Sequence, residues 1–215
     1  MIDGPRLPPA SGGPARRLVV FLHGYGADGN DLIDLGRMFG PILPDTAFVA
    51  PHAPEPCDQS PMGRQWFPLA MGDMHLYLRG VEHAAPALQA FLDAELARLD
   101  LTDGDLALVG FSQGTMMALH VGVRRKAPIA GIVGYSGLLA GPEQLAGPGI
   151  NKVPILLVHG DADPVIPVVA LHAAVQSLGA SGFTAEWHVS RGLAHGIDEN
   201  GLRLGADFLR RVLAG

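Results

Sequence analysis

The chain has one cysteine, Cys57, among 215 residues. An intrachain disulfide is therefore excluded, and a reducing, cytoplasmic setting is the expectation. There is no His-Glu-x-x-His and no cysteine pair, so no zinc-ligand set is visible, and no metal or other cofactor is called for. Positive charge is scarce: 15 Lys and Arg stand against 21 Asp and Glu, a net charge of −6. The basic runs Arg16-Arg17 and Arg124-Arg125-Lys126 are too short to track a phosphate backbone, which argues against a nucleic-acid partner. No apolar run approaches the ~18 residues of a membrane span. Residues 1–17 lack the apolar stretch of a signal peptide, so none is expected. No internal repeat points to a solenoid or propeller.

What remains is the pattern of a packed, turn-rich chain, 48% hydrophobic with 29 Gly and 18 Pro. Short apolar runs alternate with longer amphipathic ones. The runs 18–22, 47–50, 106–109, 129–133 and 155–158 read as buried strands, and 184–189 as a later, less buried one. Helices are predicted over 31–39 (capped by Asn30 or Asp31), 81–99, 113–124, 168–178 and 199–213. In the second of these Glu95 interrupts an otherwise apolar stripe. Continuous apolar strands separated by helices imply a mostly parallel sheet covered on both faces, in one α/β domain over 16–215. Residues 1–15, rich in Pro and Gly, read as a flexible lead-in. Residues 51–79 form a long proline-punctuated loop excursion whose Trp66, Phe67, Leu69 and Met71 give it too much apolar weight for disorder.

The chemistry concentrates in Gly110-Phe-Ser112-Gln113-Gly114, set directly between a strand and a helix. A serine on so tight a turn needs glycine two positions to either side, because side chains there would clash. Ser136, in Gly134-Tyr-Ser-Gly137, lacks the second spaced glycine. A serine nucleophile needs a base, and the base an orienting acid. The strand ending at His159 runs into Asp161 and Asp163. The next strand ends at His195-Gly196, just before the last helix, which favours His195 as base over His188. The order Ser, Asp, His is that of an α/β-hydrolase. The glycine-rich turn His23-Gly-Tyr25-Gly26, with the N–H of Gln113, offers an oxyanion hole.

Rival readings are weaker. Gly24-x-Gly26-x-x-Gly29 has dinucleotide-binding spacing, but the next strand ends in Pro51-His52 rather than an acid, so a nicotinamide-dinucleotide-binding protein is disfavoured. Cys57, with His52 or His75 as base, sits on no strained turn. A binding module descended from an enzyme is disfavoured by the intact Ser, Asp and His.

The segments Phe21–Asp28, Pro51-x-Ala-Pro54, Arg64-x-Trp66-Phe67, Gly110–Thr115, His159-Gly-x-x-Asp163-Pro-Val-Ile-Pro167 and Gly192-x-x-His195-Gly196 together resemble the phospholipase/carboxylesterase family, which includes acyl-protein thioesterases and small bacterial carboxylesterases. The resemblance runs from about Arg17 to Leu213. It implies an α/β-hydrolase fold with Ser112 as nucleophile, Asp163 rather than Asp161 as orienting acid, His195 as base, and Tyr25 and Gln113 as backbone oxyanion donors. It implies a small-molecule ester substrate of short-to-medium acyl length, with thioesters or lysophospholipids as alternatives, and a homodimer, since members of the family often pair. Trp66, Leu69 and Val165 are the expected walls of the acyl pocket.

Overall fold

The computed structural model describes residues 2–69 and 72–214; Met71, counted above in the apolar weight of the excursion, lies outside them. In chain order the strands and helices are β1 (Arg6–Leu7), β2 (Arg17–Leu22), α1 (Gly29–Ile33), α2 (Leu35–Phe39), β3 (Thr46–Val49), β4 (Glu55–Pro56), β5 (Arg64–Gln65), α3 (Met74–Leu99), β6 (Leu106–Phe111), α4 (Gln113–Gly122), β7 (Gly131–Tyr135), β8 (Ile155–Gly160), α5 (Val169–Ala180), β9 (Ala185–Ser190) and α6 (Glu199–Leu213). The main sheet has the order β1-β3-β2-β6-β7-β8-β9. Every neighbouring pair in it is parallel except β1 with β3. This is the mostly parallel α/β sheet that the alternation of apolar runs and amphipathic stretches leads one to expect.

Side chains alternate across the sheet, so the central strands feed two cores. Leu18, Val20 and Leu22 of β2 enter one with Leu88 and Phe91 of α3 and Leu119 of α4. Val19 and Phe21 enter the other with Phe39 of α2 and Phe208 of α6. Helices thus cover both faces, and the central strands carry no polar side.

The differences from the sequence expectation each have a local or long-range cause. The lead-in is not loose. Arg6 and Leu7 pair with Val49 and Phe48, and Arg6 Nη2 lies 2.6 Å from Glu95 Oε1. That contact explains the polar interruption in α3. Burial opposes the Glu95 charge, but Arg6 and Arg98 outweigh it and hold the carboxyl below its ordinary value. Helix α3 starts seven residues earlier than periodicity indicates, because the Asp73 carboxylate caps the N–H groups of His75 and Leu76. The helix predicted over 31–39 breaks at Asp34 into α1 and α2, and its cap is Asp28, in a capping box with Asp31. Strand β7 lies two residues later than expected, since its pairing with β6 runs on to Gly110↔Gly134 and Phe111↔Tyr135.

One buried group off the site sets an acid limit on stability. His120 lies in α4, and its Nδ1 is buried with no hydrogen-bond partner among the described residues. Burial, helped by Arg124 and opposed by Glu82, pushes its pKa down from 6.5 to about 4. Between those values the unfolded chain binds a proton that the native protein refuses, so this contribution is complete above the upper value and is lost as pH falls toward the lower. Urea midpoints of the wild type should fall over that window, and His120→Leu should flatten the fall. An unchanged pH slope in the variant would mean that other groups carry the acid sensitivity.

Candidate active site

Ser112 joins β6 to α4 and has φ 54° and ψ −115°, a left-handed backbone outside the helical region. The flanking glycines are forced by contact. A Cβ on Gly110 would meet the Gly114 carbonyl oxygen at 2.4 Å, and one on Gly114 would meet the Leu22 oxygen at 1.8 Å. The turn is tied down from the next strand: Ser112 N–H donates to Tyr135 O at 2.9 Å, and Thr115 Oγ1 donates to Gly110 O at 2.8 Å and Tyr135 O at 2.9 Å. Gln113 opens α4, so its N–H has no intrahelical acceptor and sits at the positive end of the helix dipole.

Asp163 and His195 meet. His195 Nδ1 is 2.8 Å from Asp163 Oδ2, which fixes the hydrogen on Nδ1 and leaves Nε2 free to accept. Asp163 is fully buried, and its Oδ1 accepts the Val165 and Ile166 N–H groups at 2.8 and 2.9 Å. Burial opposes its charge, but the bonds from His195, Ile166 and Val165 outweigh it and hold the carboxyl below its ordinary value. Of the two acids the sequence offered, Asp161 instead accepts Gly192 N–H at 2.6 Å. The His195 ring packs on Phe111, the residue before Ser112, with centroids 5.0 Å apart. Ser136 Oγ donates to Gly196 O at 2.9 Å, holding the histidine loop against the end of β7.

The turn around Tyr25 and the start of α4 are braced by the excursion. Gln113 lies wholly inside: its Oε1 accepts Trp66 N–H and its Nε2 donates to Phe67 O, both at 2.8 Å. Gly26 N–H donates to Arg64 O at 3.0 Å, and Arg64 N–H to Ala27 O at 2.8 Å. Tyr25 OH donates to Asp58 across the same two segments. His23 is fully buried, with Nδ1–H toward Gly24 O and Nε2 accepting Ala53 N–H at 2.9 Å.

The expected acyl-pocket residues divide. Trp66 has 0% of its surface exposed, and its Nε1 donates to His23 O at 3.0 Å, so its ring is a core strut and not a pocket wall. Its backbone bond to Gln113 turns the ring inward, an orientation that apolar weight in a loop does not reveal. Leu69 is half-buried against the core. Val165 is 49% exposed beside the acid. Sequence reasoning missed His23, Arg64 and the Gln113 amide as supports; the only prior signal was the density of polar residues beside Gly-rich turns. Among the described residues there is no group of three His, Cys, Asp or Glu side chains suited to a metal, and no helix long and apolar enough to cross a membrane.

Comparison with known proteins places this geometry. Residues 9–213 match the family described as Phospholipase/Carboxylesterase. The chain is similar to Esterase YpfH of Escherichia coli (strain K12), with 27% identity over 93% of this chain and 84% of that one. It is 30% identical to acyl-protein thioesterase 1 of Saccharomyces cerevisiae over 94% of this chain and 95% of that one. Among solved structures, esterase PE8 superimposes with a TM-score of 0.94 at 45% identity, covering 99% of both chains.

The strain at residue 112 is separable from its chemistry. Both Ser112→Gly and Ser112→Ala remove the hydroxyl, but only glycine accepts the left-handed backbone freely. Net of its larger unfolded-state entropy, Ser112→Gly should be more stable than Ser112→Ala by about 1 kcal/mol in chemical denaturation. Equal or reversed stabilities would contradict strain at this turn.

Proposed function

Because the chain belongs to the phospholipase/carboxylesterase family, we propose that this carboxylesterase-type hydrolase cleaves short-to-medium acyl esters through a covalent acyl-enzyme on Ser112. The observation that carries the reading is the buried Asp163 side chain held against His195 at 2.8 Å, with the His195 ring packed at a tilt against Phe111, the residue that precedes the strained serine.

Ser112 Oγ attacks the ester carbonyl carbon while His195 Nε2 takes the hydroxyl proton. Asp163, ionised and buried, keeps the imidazole in the required tautomer and stabilises its positive charge. The carbonyl oxygen becomes an oxyanion, received by the backbone N–H groups of Tyr25 and Gln113, each donor contributing about 2.7–4 kcal/mol. Collapse breaks the ester C–O bond, and the departing alkoxide takes the proton from His195. Water then attacks the acyl carbon, gives its proton to His195, and the carboxylic acid leaves as Ser112 regains its hydrogen.

The acyl group has an apolar cavity at hand, about 140 Å³, lined by Met74, Leu138, Leu139, Ala170 and Ala174. It starts one residue beyond Gly137, and a Cβ on Gly137 would lie 2.9 Å from the Ser112 carbonyl oxygen. Val165 and Leu69 complete the substrate surface in this reading. A thioester substrate is the second reading, favoured by the similarity to acyl-protein thioesterase 1; the same acyl-enzyme serves both leaving groups.

Turnover of p-nitrophenyl esters should be greatest from acetyl to hexanoyl, fall with longer chains, and drop about 10⁶-fold in Ser112→Ala and about 10⁴-fold in Asp163→Asn. Ser112→Ala retaining a tenth of the wild-type rate would overturn the assignment. A maximum at octanoyl or beyond would move the substrate toward acylated proteins and lysophospholipids.

A further inference from the structure

Asp163 has a second histidine against it. His159, at the end of β8, is buried, and its Nε2 lies 2.8 Å from Ile166 O and 3.3 Å from Asp163 Oδ2. Both neighbours are acceptors, so Nε2 must carry the hydrogen and shares it between them. The Asp163 carboxylate is therefore met from four directions: Val165 and Ile166 N–H on Oδ1, His195 and His159 on Oδ2. The other edge of the His159 ring gains nothing, since Nδ1 is buried and without a partner among the described residues. A histidine chosen for packing alone would be better replaced by an apolar side chain. What accounts for it is the contact made by Nε2.

We infer that His159 is a positioning residue for hydrolysis, fixing the Asp163 carboxylate between Ile166 and His195 and sharing part of its charge. The inference rests on the reading of Asp163 as the orienting acid. Among the described residues, the titratable side chains in contact with Asp163 are His159 and His195. The His159 hydrogen bond draws negative charge from Oδ2. Without it the carboxylate holds the imidazolium of His195 more strongly, so the base stays protonated to higher pH. The carboxylate also loses one of the contacts that fix its plane.

The test is kcat and KM against pH for the wild type, His159→Leu and His159→Gln, with Asp163→Asn as control. Glutamine places an N–H donor near the position of Nε2, whereas leucine fills the space without one. His159→Leu should lower kcat about tenfold with little change in KM, and move the acid limb of kcat/KM upward by about half a pH unit. His159→Gln should restore most of both. A rate loss in His159→Leu with an unmoved acid limb, or no rescue by glutamine, would reduce His159 to packing and overturn the inference. Asp163→Asn at wild-type rate overturns the triad reading and this inference together; an inactive Asp163→Asn beside an unmoved limb overturns the inference alone. Should His159→Leu not fold, imidazole ¹⁵N NMR of the wild type decides: a neutral Nε2–H ring is expected, and an Nδ1–H ring contradicts it.

Discussion

The left-handed backbone at Ser112 is the constraint on which the upper surface of this protein depends. A strand that ended one residue earlier, or a helix that began one later, would need no such conformation and would not lift a side chain off the sheet. Here β6 runs straight into α4, and the chain reverses through a single residue with φ 54°. Such a residue costs of order 1–3 kcal/mol and persists only when its surroundings over-determine it. The surroundings do so: Tyr135 O receives both the Ser112 N–H and the Thr115 hydroxyl, and the backbone of β2 closes on Gly114 too tightly for any Cβ.

The same turn sets the electrostatics around it. Starting α4 at Gln113 leaves its N–H without an intrahelical acceptor, while the Gln113 side chain binds the backbone of Trp66 and Phe67. One residue thereby joins the start of α4 to the excursion that braces Tyr25. On the other side, the segments after β8 and β9 bring Asp163 and His195 together, and directed hydrogen bonds overcome the burial penalty of the acid. A nearly dry carboxylate beside a histidine gives a stronger and better-aimed interaction than the same pair in water.

How much of this was legible followed the range of the interactions. The Gly-x-Ser-x-Gly turn, the strand before it and the helix after it follow one another directly along the chain, so local pattern reveals them even though Leu22 and Tyr135 hold the turn in place. An acid followed by His195 was readable too, because each lies past a strand end, although strand position left Asp161 and Asp163 open and only the family resemblance pointed to Asp163. The distant partners were not. The Arg6–Glu95 pair spans 89 positions and the Trp66–Gln113 bond 47; from sequence the first looked like a loose terminus beside a flawed helix, and the second like a pocket wall. The early start of α3 was hidden because Asp73 caps it ahead of any apolar period. Both ring nitrogens of His23 and the carboxylate contact of His159 are likewise invisible until the sheet brings strand ends together.

The central claim, that Ser112 is the residue made nucleophilic by this scaffold, is tested most directly by trapping. Wild-type protein treated with a small fluorophosphonate should gain one adduct by intact mass, and peptide mapping should place it on Ser112. An unmodified protein, or an adduct confined to Ser136 or Cys57, would contradict the account.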